Sequence, residues 1–214
     1  MEKDNKRGNA VVEVLKSSSV SSLGKEFLEL GLDSMLDSGA LKDIPLVGTV
    51  LGIYGTADTI RDHLFAKKLI GFLSQLSEIS QEERISMVEK LNEDEKFSGR
   101  VGSSLLEMLD RIESEKKPEL AARCFAAYAR GRISFEDLRR VLHALERIPS
   151  FDIDKLEKFS NASMEESQTI DESILLAFVN AGLAKNNGGF GGGAIVPTNL
   201  CKIFVMVCTD VQGQ

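Results

Sequence analysis

Six arginines between positions 123 and 147 are the densest concentration of one chemistry in this chain of 214 residues. Arg123, Arg130, Arg132, Arg139, Arg140 and Arg147 stand against only Glu136, Asp137 and Glu146, a local charge of +3 in a chain whose net charge is −7. Guanidinium groups at this density receive carboxylates or phosphates. Helical spacing sets Arg140, His143 and Arg147 on one polar stripe with Glu136, one turn before Arg140. The stripe therefore reads either as a docking face or as a solvated face held by local i,i+4 pairs. Arg130, Arg132, Arg139, Arg140, His143 and Arg147 are the candidate interaction residues.

Catalytic chemistry finds less support. His63 and His143 are the only histidines, and the H-E-x-x-H spacing of hydrolytic zinc sites is absent. An imidazole such as His143 has the chemistry of a general base, but no partner of matching role stands near it in sequence. Cys124 falls with Leu120 and Ala127 on an apolar face. Cys201 and Cys208 lie on the last apolar element, so all three read as small buried hydrophobes. The stretch AAYARGRISFED superficially resembles half of a calcium-binding EF-hand. With Gly131 at the sixth loop position, however, Ala126, Tyr128 and Arg130 take the ligand positions, and an arginine there repels the ion. No metal or cofactor is expected, and the chain reads as a non-enzyme.

Ile44 to Ala57 is 14 residues long without a charge, bounded by Asp43 and Asp58. Gly48, Gly52 and Thr56 repeat every four residues, which lines one helix face with small groups and permits close backbone approach. A membrane reading is open on that composition. At about 1.5 Å per residue the segment reaches roughly 21 Å, short of the roughly 30 Å hydrocarbon core, so it is too short to span. Close helix packing is the other reading. A phosphate loop is excluded, because no Lys–Ser/Thr pair follows the glycines.

These residues must be held by helices. With 43% hydrophobic and 28% charged residues, the composition is that of a globular chain, and an acidic pI near 5.1 argues against a surface that binds nucleic acid throughout. The start, MEKDNKRGNA, has no apolar run behind it, so a cytoplasmic protein without a secretory signal is expected. Residues 1–8 read as a flexible N-terminus and 9–148 as an all-α domain. Its helices include 23–39 and 60–79, one opened by Ser80 with Glu83, and another starting at Pro118. The last is opened by Ser134 with Asp137 and closed by Pro149.

Composition shifts near residue 150. Residues 149–168 read as a connecting helix and polar linker, and 169–214 as a C-terminal module. Thr169 with Glu172 has capping-box spacing, and five of the six residues from 188 to 193 are glycine. Ala194 to Val196 reads as a short strand. The run KIFVMV suits a strand by composition and a helix if Thr198 caps it; helix is favoured.

Two resemblances enter here. ILLAFVNAGLA, the Gly-rich tip and AIVPTNLCKIF together resemble the second half of a winged-helix domain, in which a helix ends in AGL, a wing follows, and a T-x-L-G-K-x-F-like helix closes the unit. Cys201 stands where that pattern has glycine. The expected fold is thus mainly α, a multi-helix bundle followed by a small winged-helix-like module. The helix from Thr169 to Ala184 carries no Lys or Arg, so the resemblance implies packing or protein contact rather than DNA reading. Separately, LKDIPLVGTVLGIYGTADTIRDHLFAKKLIGFL resembles a group of uncharacterised bacterial helical proteins, which implies a bacterial or phage setting. The expectation is a non-catalytic protein acting on a protein partner or on itself. Its alternatives are a membrane-acting protein using 44–57 and a nucleic-acid-binding regulator using the 123–147 face.

Overall fold

A computed structural model describes residues 2–30, 34, 60–94, 98–114, 116–188 and 193–208. Gly48, Gly52 and Thr56, and the whole 44–57 segment, lie outside the described residues, as does the second half of the helix expected over 23–39. The fold is mainly helical, with one two-stranded sheet among the described residues. Among these residues no helix is long and apolar enough to cross a membrane. The chain divides into two compact units, Met1–Arg130 and Gly131–Gln214.

The first unit contains α1 (Glu2–Lys16), α2 (Ser19–Leu30), α3 (Ile60–Leu76), α4 (Gln81–Glu93), α5 (Val101–Arg111) and α6 (Lys117–Ala129). Residues 2–8, expected as a flexible arm, instead form the first turns of α1. Gly8 lies against Gly102 and Ser103 of α5, an approach that only a small residue allows. At Gly102 a methyl group would fall on the Gly8 carbonyl. Helix α3 packs on α6 through Phe72 and Phe125, edge to face with ring centroids 5.7 Å apart.

Helix α4 opens as its sequence predicts. The Ser80 side chain accepts from the Glu83 N–H at 3.1 Å, and the Ser80 N–H donates to Glu83 Oε2 at 2.7 Å. That backbone bond, assisted by the Arg130 guanidinium, holds the Glu83 carboxyl below its usual range. A depressed carboxyl stabilises the fold above its unfolded pKa of about 4.3, and the contribution is lost as pH falls through the folded value. In urea titrations, Glu83→Gln should therefore trail the wild type at pH 7, and the gap should narrow below about pH 4. An equal gap at pH 7 and pH 3 would show that the carboxylate charge adds nothing to the cap.

Arg84, in the first turn of α4, is fully buried. Its Nε donates to Leu15 O at 2.9 Å, Nη1 to Ile79 O at 2.6 Å and Nη2 to Ser17 O at 2.9 Å. Gln81 adds a bond to Lys16 O at 2.8 Å. The end of α1, where carbonyls lack helical partners, is thus closed by side chains from α4.

The second unit begins with α7 (Phe135–Arg147). It continues through a 3-10 helix (Ser150–Lys155), α8 (Leu156–Ser160), α9 (Met164–Ser167) and α10 (Glu172–Asn180). Strands β1 (Ala184–Asn186) and β2 (Ile195–Pro197) follow, and α11 (Asn199–Cys208) closes the unit. Helix α7, grouped by sequence with residues 9–148, packs on α11 and so belongs to this unit. Phe159 of α8 meets Phe178 of α10 with ring centroids 4.9 Å apart.

Three local expectations change in the second unit. Asp171, rather than Thr169, caps α10 by accepting from the Ser173 N–H at 2.8 Å, while the Thr169 hydroxyl donates to Glu166 O. The segment read as a polar linker contains α9, with its own capping box between Ser163 and Glu166. The helix expected to reach Ala184 stops at Asn180, and Ala184 starts β1, which pairs antiparallel with β2: Ala184 opposite Pro197, Lys185 opposite Val196, Asn186 opposite Ile195. KIFVMV is helical, and the Cys201 N–H donates to Thr198 Oγ1 at 3.2 Å as the expected cap. All three cysteines are buried, and burial pushes the Cys201 thiol up to about 12.

Candidate functional site

The basic stripe is built by a well-defined helix start. Ser134 Oγ accepts from the Asp137 N–H at 3.1 Å and the Ser134 N–H donates to Asp137 Oδ2 at 3.3 Å, so α7 begins in a fixed phase. That phase turns Leu138, Val141, Ala144 and Leu145 into the core and leaves Glu136, Arg139, Arg140, His143 and Arg147 exposed. The Arg139 guanidinium lies 5.9 Å from the centre of the Phe135 ring. Arg140 Nη2 meets Glu136 Oε1 at 2.6 Å, the i,i+4 pair that the spacing predicts, with both side chains largely in water. A pair so exposed contributes little and exchanges readily for another carboxylate.

The candidate residues do not all gather in one place. Arg139, Arg140 and His143 line an open groove of about 670 Å³ together with Glu136, Val179, Asn180, Ala181, Gly182 and Leu200. Arg132 is exposed in the turn before α7, and Arg147 is exposed one turn beyond His143; neither lines the groove. Arg130 belongs to the first unit, where Nε pairs with Glu83 Oε1 at 3.0 Å and Nη2 donates to Glu78 O at 3.2 Å. Its charge is used to join the end of α6 to the start of α4.

The far wall of the groove is assembled by tertiary packing, which sequence spacing does not reveal. It is made by the end of α10 and the first turn of α11. Gly182 sits at φ +75, and its neighbours close the helix end: the Gly182 N–H donates to Val179 O at 2.9 Å and the Leu183 N–H to Phe178 O at 2.8 Å. Thr198 then fastens the two helix ends, its N–H donating to Leu183 O at 3.0 Å and its hydroxyl to Gly182 O at 3.0 Å. The AGL ending and the Thr198 cap are visible in the sequence, but their placement beside α7 depends on tertiary packing.

A second hollow, about 380 Å³, lies in the first unit between Arg7, Arg61, Asp62, Phe65, Glu107 and Asp110. Arg61 Nη2 reaches both Asp110 oxygens at 3.0 and 3.3 Å, and Lys68 Nζ donates to Asp110 O at 3.2 Å. Arg61 and Asp110 are thus committed to each other. His63 sits half-buried on α3 and Cys124 is buried in α6. Among the described residues no three His, Cys, Asp or Glu side chains converge in a way that could hold a metal ion. Compared with protein-family models, curated proteins and solved structures, the chain finds no match.

Proposed function

We propose that this chain is a non-catalytic protein that works through protein–protein contacts, as a regulator or accessory factor in a bacterium or phage. The observation that carries the reading is the groove itself. It is open, basic on the α7 side through Arg139, Arg140 and His143, and lined on the other by Val179, Leu200 and Ala181 beside the exposed Asn180, a mixture that suits contact with a protein surface. On this reading residues 169–214 form a winged-helix-like module. The order α10, the β1–β2 hairpin and α11 supports that, and so does the Thr198-capped last helix. Helix α10 offers phosphates no Lys or Arg, which favours contact with protein over reading of DNA.

Co-purification from host extract tests the reading through three forms of the full chain. A partner retained by the wild type and by Arg61→Glu, but lost from Arg139→Glu, would support the groove as the contact surface. Self-association is the same reading with a second copy as partner, visible as a dimer in sedimentation that Arg139→Glu splits. Identical recoveries and identical mass for all three forms would sink the groove as the working surface.

A further inference from the structure

We infer that the groove between α7 and the α10–α11 junction takes an acidic peptide segment of a partner protein, with two carboxylates one helical turn apart and an aliphatic side chain on the same face. This rests on the protein-contact reading above and names the chemistry of the partner.

The basic wall sets the carboxylate spacing. Arg139 and His143 are four residues apart on α7, hence about 6 Å along its axis. Carboxylates at i and i+4 of a partner helix have the same separation. Arg139 is held against the Phe135 ring, so its planar fork is pre-oriented and loses less freedom on pairing than a lysine would. Arg140 is paired with the exposed Glu136, and an incoming carboxylate can replace that pair at small cost. Glu136 also gives the groove a polarity. It disfavours negative charge at the start of α7 and directs the acidic residues toward His143.

The opposite wall supplies the second half of the recognition. Val179 and Leu200 are half-buried and Ala181 is buried, a surface suited to an aliphatic side chain. The end of α10 would ordinarily present carbonyls and repel a carboxylate. Here the Val179 and Phe178 carbonyls are already taken by the N–H groups of Gly182 and Leu183. A nucleic acid would gain from the α7 wall alone, because its phosphates find no cation on α10 or at Leu200. Charge and apolar surface together fit the peptide.

Fluorescence anisotropy with the full chain tests this. The probe is a labelled, alanine-rich helical peptide bearing two glutamates one turn apart and a leucine on the same face. Its controls replace both glutamates by glutamine or the leucine by serine, and a labelled DNA duplex is run beside them. The glutamate–leucine peptide should bind, with each control peptide weaker by about tenfold or more. Arg139→Glu should remove binding, Leu200→Ser should weaken it, and Arg61→Glu should leave it unchanged. The melting temperature of each variant shows that the fold is retained. Equal binding of the glutamine peptide, no binding of any peptide, or binding of the duplex in its place would each overturn the inference. If the peptides fail while a co-purifying protein still depends on Arg139, the acidic class falls and the protein-contact reading stands. If neither depends on Arg139, that reading falls with it.

Discussion

Arg84→Met should destabilise the first unit by about 3–5 kcal/mol, because three backbone carbonyls lose their charged donor at once. The side chain is fully buried and donates to three carbonyls, two of them at the end of α1 and one at Ile79. Methionine fills much of the same volume but brings no donor, leaving three acceptors against an apolar chain. Each buried group left unmet costs about 1–3 kcal/mol. Arg84→Lys keeps the charge but offers one ammonium in place of a fork, so it should fall between the two. Urea unfolding gives the size of the loss, and hydrogen exchange should place it in the amides of α1 and α4. A change below about 1 kcal/mol for methionine would mean that the end of α1 closes without the arginine.

Gly102→Ala should cost about 3 kcal/mol, the upper end for overpacking, because the added methyl meets backbone rather than a yielding side chain. The Gly8 carbonyl occupies the place where that methyl would go, so α1 and α5 must separate. Gly71→Ala provides the contrast within the same unit. Its added methyl would lie 3.6 Å from Glu119 Cγ, an ordinary contact, inside helix α3. There the gain in helix propensity should stabilise the chain by roughly 0.5–1 kcal/mol. Opposite signs for the two substitutions in thermal melts would establish the close crossing. Equal effects would show that α1 adjusts freely over α5.

Local chemistry was readable, and the assembly of elements was not. Ser80 with Glu83 and Ser134 with Asp137 could be identified because a capping box lies within four consecutive residues and its geometry is set there. Pro118 in the first turn of α6 is legible for the same reason. Between Thr169 and Asp171 the choice turned on helix phase, since a start at Asp171 brings Leu175 and Phe178 to the core. Helix α9 is a single turn, too short for any apolar period to mark it. Strand β1, Ala-Lys-Asn, has no alternation of its own and exists because β2 returns beside it. Arg84 stands in the polar stretch QEERIS and looks like a surface residue; only the arrival of the α1 end explains its burial. The same division runs through the groove. Its basic wall is one helix face and could be read from spacing, whereas its apolar wall joins two helix ends brought together by packing.

The burial of all three cysteines gives the folded chain a silence toward thiol reagents that can serve as a clock. A thiolate is the reacting species; Cys201, pushed up to about 12 by burial, forms almost none at neutral pH, and burial keeps reagents from all three sulfurs. Labelling by a maleimide then waits for the structure to open. Cys124 reports on the first unit, Cys201 and Cys208 on the second, so peptide mapping of one labelling time course yields two separate opening rates. A single cysteine engineered on the exposed face of α7 would carry a fluorophore alone, without removal of any native thiol.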